Sequence, residues 1–170
     1  MEDSALKIDH VKQASEMLEC AQLLAKSEPW TTLGMSGEYL LNTMNDPLHE
    51  VFAARIDGEI VGTMVVQTRG AFTGYLKSIA LKPEWRGQLL GKWMMSYLEE
   101  KIFATSPNLF LCVSSFNTLA HNFYLKRGYE QIGVLTNYLV EGHHEILMRK
   151  TTGPILKGKV EREGKLQAEP

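Results

Sequence analysis

The sequence predicts an α/β (α+β) fold built on a mixed central sheet of about seven strands with about four helices. Residues 51–56 and 60–68 are predicted strands on either side of Asp57-Gly58, a strong signal for a two-residue β-hairpin. Residues 76–81 form a short apolar run that leads through a glycine-containing turn into a helical pattern. Residues 109–113 are continuously apolar, as expected for a central strand covered on both faces. Strands joined by a hairpin and a strand reached through a helix together indicate a mixed sheet.

The length and composition fit one globular domain without a nucleic-acid or membrane partner. At 170 residues the chain has the usual size of a single domain, and its 44% apolar and 22% charged residues are typical of globular proteins. A net charge of −2 gives no electrostatic reason to bind nucleic acid or an anionic membrane. The polar N-terminus is no signal peptide, and Cys20 and Cys112 form no spacing motif. We therefore expect a cytoplasmic protein with reduced thiols and no metal.

The N-terminal part of the chain is predicted to be helical after one short strand. Residues 5–8 form that strand, and apolar residues keep helical spacing over residues 11–26. Pro29 ends the helix because proline disfavours helical backbone at the residue before it. Ser36 is a suitable N-cap for a second helix over residues 37–44.

The C-terminal half is predicted to alternate strands with helices. Its elements are a strand at 75–81, a helix at 89–104, a strand at 109–113, a helix from Asn117 to Gly128, and a hairpin of residues 129–140 and 144–149 around Glu141-Gly142. Asn117 is an N-cap residue, and Gly128 supplies a helix end. Residues 151–170 carry little apolar content, so we expect one domain over residues 1–150 followed by a mostly disordered tail.

The first stretch that indicates chemistry joins the strand at 75–81 to the helix after it. Its turn reads Arg86-Gly87-Gln88-Leu89-Leu90-Gly91 and is followed by Lys92. The free N–H groups at a helix start carry about half a positive charge, so such a turn binds phosphate. The spacing is neither the dinucleotide-binding G-x-G-x-x-G nor the phosphate loop of an NTPase.

The second stretch lies on the predicted helix that follows residues 109–113. It has an asparagine, a small residue, an aromatic pair and a final glycine with an aromatic at fixed spacing: Asn117, Ala120, Phe123, Tyr124, Gly128 and Tyr129. Together the two stretches resemble the signatures of the GNAT superfamily of N-acetyltransferases, and the order of strands and helices also fits that family over residues 6–150. One position departs from the family pattern, because Leu89 stands where the family usually has a glycine.

The resemblance implies a sheet that splays between its fourth and fifth strands, with acetyl-CoA (coenzyme A) as co-substrate in the cleft. The residues that it places against the co-substrate are Ile79, Ala80 and Leu81 on the fourth strand, Arg86, Gly87, Gln88, Leu89, Leu90, Gly91 and Lys92 at the pyrophosphate turn, and Asn117, Phe123 and Tyr124 on the later helix. Leu89 should tolerate its place, since a residue entering a helix has negative φ and its side chain would point into the apolar face of the helix.

The resemblance also implies direct attack of a primary amine on the thioester carbonyl. Tyr124 is the candidate general acid for the leaving thiolate, and a backbone N–H near Leu81 is the candidate oxyanion donor. The amine must be neutral, and neutralising a lysine-like amine at pH 7 costs roughly 4.6 kcal/mol, against about 1 kcal/mol for an α-amine. Glu28, in the loop between the first two helices, is the candidate base, although a surface carboxylate is an equal interpretation.

Other polar and aromatic residues are predicted near the acceptor. These are Tyr75 and Ser78 on the fourth strand, Trp30 and Trp85 as pocket or core aromatics, and Tyr138, His143 and His144 in the final hairpin. His143-His144-Glu145 lacks the spacing of a zinc motif, and we interpret it as a solvent-exposed turn.

Two functions from different classes follow from this pattern. The first is an N-acetyltransferase that acts on a primary amine, either a small molecule or a peptide terminus, as a monomer or homodimer. The second is a catalytically idle module that senses acyl-CoA, which Leu89 favours if its side chain blocks the phosphate turn and which Tyr124 disfavours. Release of free thiol in the presence of an amine separates the two.

Overall fold

A computed structural model describes residues 6–87 and 89–156 of the chain, which form one seven-stranded sheet with helices on both faces. In chain order its elements are β1 Lys7–His10, α1 Ala14–Ala25, α2 Gly37–Met44, β2 His49–Ile56, β3 Glu59–Gln67, β4 Tyr75–Leu81, a short 3-10 helix Pro83–Trp85, α3 Leu90–Phe103, β5 Asn108–Ser114, α4 Thr118–Lys126, β6 Glu130–Leu135 and β7 Glu145–Thr151. None of the helices in the described ranges is long and apolar enough to cross a membrane.

The sheet confirms the predicted mixed architecture with a splay in its middle. The strand order is β1-β2-β3-β4-β5-β7-β6, and every neighbouring pair is antiparallel except β4 with β5. Those two parallel strands pair only at Tyr75 with Phe110 and at Leu76 with Leu111. Beyond Leu76 the two strands diverge, so backbone groups of β4 that face β5 are left out of the ladder. This divergence opens the cleft that the sequence resemblance implied.

Two hydrophobic clusters hold the helices against the two faces of the sheet. In β2, Val51 and Ala53 pack on the side of α1 and α2, whereas Phe52 and Ala54 pack on the side of α3. This alternation follows from the period of two in a strand. The sheet is therefore covered on both faces, and its central strands read as almost continuous apolar runs.

The ends of several elements differ from the prediction. The first helix begins at Ala14 rather than at residue 11, because the N–H of Val11 donates to the carbonyl of Val51 and continues the edge of the sheet. The strand predicted over 129–140 ends at Leu135. Asn137 breaks it, since its φ is +52° and its side-chain oxygen accepts a hydrogen bond from the N–H of Gly142 at 3.0 Å.

The C-terminal prediction falls partly outside the described residues. Strand β7 runs to Thr151, two residues beyond its predicted end. Residues 157–170, most of the predicted tail, lie outside the described part of the chain, as does Ala5 of the predicted first strand.

Candidate active site

A cavity of about 100 Å³ lies where β4 and β5 diverge. Its floor is formed by the two strands, one wall by α4, and its rim by two loops, one between α1 and α2 and one between β6 and β7. The polar and aromatic residues that line it are Glu28, Trp30, Tyr39, Tyr75, Lys77, Ser78, Cys112, Ser114, Asn117, Tyr124, Tyr138 and Glu145. The structure thus brings together parts of the chain more than 100 residues apart in a site that combines aromatic faces with two carboxyl groups.

The turn before α3 has left-handed backbone at two residues, one of them unexpected. Gly87 has φ +76° with open space around it, and Leu89, the N-cap of α3, has φ +58°. The expectation of negative φ at Leu89 is therefore wrong. Its side chain is 70% exposed rather than packed on the apolar face of the helix, which corrects the second part of that expectation. Gln88 lies outside the described residues.

This conformation predicts that Leu89→Gly stabilises the fold. Left-handed backbone costs an L-residue roughly 1–2 kcal/mol, and glycine avoids most of that cost. We expect the variant to gain up to about 1 kcal/mol in free energy of unfolding, measured by urea denaturation. Leu119→Gly is the matched control, because Leu119 is equally exposed but helical, and there glycine should cost up to about 1 kcal/mol. Destabilisation by Leu89→Gly would contradict the strain argument.

Arg86 is tied to the protein as well as exposed to solvent. Its Nε donates to the carbonyl of Leu81 at 3.1 Å, and its Nη2 donates to the hydroxyl of Ser27 at 3.3 Å. The hydroxyl of Ser27 in turn donates to the carbonyl of Leu23. Arg86 thereby joins the end of β4, the loop after α1 and the turn before α3 at the mouth of the cleft.

Tyr124 lies on the cavity wall, on the inner face of α4. Its ring packs edge-on against those of Phe123 and Tyr129, at centroid distances of 5.3 and 5.5 Å. Burial raises the pKa of the Tyr124 phenol, with a smaller opposing effect of Arg127, so the hydroxyl stays protonated through the neutral range. Ion pairs from Arg127 and Lys150 to Glu99, at 3.0 and 2.9 Å, fix the end of α4 to α3 and β7.

The other residues predicted against the co-substrate divide between the cavity and its surroundings. Ile79 and Asn117 line the cavity, and the Asn117 side chain also caps α4 by accepting from the N–H of Ala120 at 3.2 Å. The remainder lie around the cavity. Ala80 and Leu90 are buried in the core, whereas Leu81 and Phe123 are partly buried and Lys92 is exposed. A Cβ added at Gly91 would contact Leu81 and Phe123.

Glu28 is exposed at the rim and held in its own loop. Its Oε2 accepts a hydrogen bond from the N–H of Thr32 at 3.3 Å. The Thr31 side chain, and then Thr32, hold the pKa of the Glu28 carboxyl below its ordinary value despite slight burial. A carboxylate with a lowered pKa is a weaker proton acceptor.

Glu145 is a buried carboxyl group of the cavity that sequence reasoning did not place there, and Tyr39, Lys77 and Ser114 are further lining residues that it did not name. Glu145 is the first residue of β7 and only 3% exposed, so the interpretation of His143-His144-Glu145 as a solvent-exposed turn is wrong for this residue. Its Oε1 accepts a hydrogen bond from the Ser114 hydroxyl at 2.6 Å. Burial raises the pKa of the Glu145 carboxyl, while Ser114 and His143 partly offset that rise. The signal available in the sequence was a glutamate directly before the three apolar residues 146–148.

The Tyr75 hydroxyl and the Cys112 thiol form a second polar contact in the cavity. Tyr75 donates to Cys112, and burial raises the pKa of both groups. Cys20 and Cys112 are both free thiols, and burial raises the pKa of Cys20 as well. Ser78 and Tyr138 also line the cavity, as the sequence predicted, and Trp85 packs against the core.

The chain matches a known protein family over most of its described length. The profile of the Acetyltransferase (GNAT) family matches residues 15–129. An uncharacterized N-acetyltransferase of Methanocaldococcus jannaschii is 32% identical over 111 residues, which are 62% of this chain and 70% of that protein. The chain therefore belongs to the GNAT family and is an acetyl-CoA-dependent acetyltransferase, as the two sequence signatures predicted.

Solved structures of this family share the fold. An aminoglycoside 6'-N-acetyltransferase in complex with coenzyme A has a TM-score of 0.69 and 21% identity, covering 89% of this chain and 99% of that one. The ribosomal-protein-S18-alanine N-acetyltransferase from Escherichia coli has a TM-score of 0.70 and 17% identity, covering 92% and 98%. These likenesses confirm the predicted architecture.

Proposed function

We propose that the cleft binds acetyl-CoA and that the enzyme transfers its acetyl group to a small-molecule primary amine, with Tyr124 as general acid. The observation that carries this proposal is the position of the Tyr124 phenol on the wall of the cavity at the splay of β4 and β5. A thiolate that leaves a thioester needs a proton, and a positioned phenol can supply it.

The chain offers backbone groups of the kind that an elongated anionic co-substrate needs. Residues of β4 beyond Leu76 have no ladder partner on β5, so their backbone groups are available to the amide-containing arm of acetyl-CoA. Gly87 and Leu89 turn the chain with positive φ directly before α3, and the N-terminus of that helix favours the pyrophosphate. Arg86 at the mouth of the cleft adds a cation there.

The rim of the cavity favours a small acceptor over a folded protein. The loop after α1 contributes Glu28 and Trp30, and the loop after β6 contributes Tyr138, to the lining of a cavity of only about 100 Å³. Aromatic faces and carboxylates attract cationic ammonium groups. We therefore propose a cationic alkylamine, rather than a peptide N-terminus, as the preferred acceptor class.

Release of free thiol from acetyl-CoA tests this function. The panel contains propylamine, an aminoglycoside, glycinamide and a short peptide with a free N-terminus. We expect amine-dependent thiol release that is fastest with a small amine. Binding of acetyl-CoA by calorimetry, without thiol release by any amine, would instead indicate the idle sensor. Turnover confined to the peptide would overturn the proposed acceptor class.

Arg86→Ala should weaken acetyl-CoA binding by roughly 1–3 kcal/mol, the scale of a charged hydrogen bond. The substitution removes the cation at the mouth of the cleft and releases the carbonyl of Leu81 and the hydroxyl of Ser27. Calorimetry with acetyl-CoA is the measurement. Arg69→Ala removes an exposed arginine from the loop between β3 and β4 and is the control for net charge. Equal affinities for both variants and the wild type would remove Arg86 from the binding site.

A further inference from the structure

We infer that Glu145 is the proton acceptor for the substrate amine, so that the carboxylate of the reaction comes from the start of β7. The inference rests on the proposed function and adds a further catalytic residue to it. It replaces Glu28, the carboxylate that sequence alone suggested for this role.

The position of Glu145 carries the inference. Glu145 pairs with Ser114 across β5 and β7, at the end of β5 that diverges from β4, and the cavity lies where β4 and β5 diverge. Glu145 lines the same cavity as Tyr124, together with Cys112 and Ser114. A base on one side of the acceptor nitrogen and an acid for the leaving sulfur on the other is the arrangement that direct acyl transfer needs.

The burial of the Glu145 carboxylate in the cavity has a free-energy cost that a charged partner would offset. Burying an ionised carboxyl costs free energy unless it is paired, and the partner given to Glu145 is a neutral hydroxyl at 2.6 Å. An ammonium group that enters the cavity would supply the opposite charge. Glu28, in contrast, is exposed and hydrogen-bonded to its own loop, with its carboxyl pKa lowered, so it holds protons less well than Glu145.

Several titratable or charged groups lie on the elements around Glu145. Those that titrate or carry charge are Tyr75 and Lys77 on β4, Cys112 on β5, Tyr124 on α4, Tyr138, His143 and His144 in the loop before β7, and Glu28 at the rim. Burial keeps the phenols of Tyr75 and Tyr124 and the thiol of Cys112 protonated. Because burial also raises the pKa of Glu145, its carboxylate accepts a proton more readily than an ordinary glutamate.

The proton balance of the reaction closes with these two residues. The Glu145 carboxylate takes one proton from the ammonium form of the acceptor, and the neutral nitrogen attacks the acetyl carbonyl carbon. The C–N bond forms, the C–S bond breaks, and the sulfur leaves with the bonding electrons and takes the proton of Tyr124. The second proton of the nitrogen restores Tyr124, so the products are the amide, the free thiol and a protonated Glu145 that releases its proton to solvent.

Glu145→Gln tests the role by comparing two amines. Propylamine has a pKa of about 10 and needs a base at pH 7, whereas glycinamide, with a pKa of about 8, needs one much less. We expect kcat/KM for propylamine to fall on the order of 10²-fold and that for glycinamide to fall less. The loss for propylamine should shrink as the pH approaches the pKa of the amine. Glu130→Gln, an exposed glutamate on β6, is the matched control.

Ser114→Ala gives a second readout that a structural role would not move. The Ser114 hydroxyl stabilises the charged form of Glu145, so its loss raises the pKa of that carboxyl. The acid limb of kcat/KM against pH should therefore shift upward by about one to two pH units, while Glu145→Gln should abolish that limb.

Stability provides a readout without turnover. A carboxyl whose folded pKa is raised contributes stability below its unfolded pKa, and that contribution is lost as the pH rises through the folded pKa. Glu145→Gln should therefore match the wild type in Tm at about pH 4 and exceed it at about pH 8. A variant that is less stable than the wild type at about pH 8 would mark Glu145 as a structural residue.

The outcomes separate this inference from the proposed function. Equal losses for both amines, or an unchanged acid limb in Ser114→Ala, would overturn the role of Glu145 while an active wild type left the acetyltransferase in place. A wild type that binds acetyl-CoA but acetylates neither amine would overturn both.

Discussion

Tyr124→Phe should lower kcat on the order of 10²-fold while leaving the affinity for acetyl-CoA nearly unchanged. The substitution removes only the hydroxyl, and the ring keeps its edge-on contacts with Phe123 and Tyr129. The measurements are steady-state kinetics with one amine acceptor and calorimetry with acetyl-CoA. Tyr97→Phe, on α3 outside the cavity, is the matched control and should keep full activity.

The pH dependence of the loss of kcat in Tyr124→Phe tests whether the hydroxyl donates a proton. Burial raises the pKa of Tyr124, so the acid form that donates its proton persists to a higher pH than an ordinary phenol would allow. The wild type should therefore keep its activity up to about pH 10 instead of losing it as the phenol ionises. The difference between the two enzymes should narrow at high pH if thiolate departure no longer needs a proton. Equal rates at every pH would leave Tyr124 as a packing residue only.

Gly74→Ala should lower the free energy of unfolding by about 2–5 kcal/mol. Gly74 lies directly before β4 at the closed end of the cleft, where its carbonyl accepts from the N–H of Phe110 at 2.8 Å. It has φ +86°, and an added Cβ would lie 2.5 Å from the carbonyl oxygen of Asn108 and 2.8 Å from a methyl group of Ile102. Left-handed strain and a backbone collision therefore act together at this position.

Gly58→Ala separates the two causes. Gly58 has the same φ of +86° in the hairpin between β2 and β3, but a Cβ there meets nothing within 4 Å. Its substitution should cost only the backbone strain, about 1–2 kcal/mol. Urea denaturation of both variants is the measurement, and equal losses would contradict the collision at Gly74. The carbonyl of Gly74 is hydrogen-bonded to β5 at the end of the cleft where β4 and β5 are still paired. We therefore also expect Gly74→Ala, but not Gly58→Ala, to weaken acetyl-CoA binding.

Local signals in the sequence predicted most of the elements because each has a short-range physical cause. Ser36 caps α2 by accepting from the N–H of Tyr39, and the helix has its predicted bounds. Asp57 and Gly58 both have positive φ, as the predicted two-residue hairpin requires. The two family signatures predicted the splay of β4 and β5, which no local pattern contains.

The misses are positions where tertiary context decides. Leu89 adopts left-handed backbone, which a leucine side chain does not predict. Glu145 belongs to a polar segment, His143-His144-Glu145, that is typical of an exposed turn. Pairing with Ser114 on β5 nevertheless buries it beside the cavity. Strand β6 ends early because Asn137 forms a turn with Gly142, a contact between residues five positions apart. Such contacts depend on how the sheet is assembled, so periodicity alone could not predict them.

The most direct test of the central claim follows the acetyl group itself. The full chain is incubated with acetyl-CoA that carries an isotopically labelled acetyl group and with propylamine, and the amine is examined by mass spectrometry. We expect a labelled amide formed in a one-to-one ratio with free thiol, and a rate that falls on the order of 10²-fold in Tyr124→Phe. Labelled acetate and thiol without labelled amide, or retention of intact acetyl-CoA on the protein, would contradict that claim.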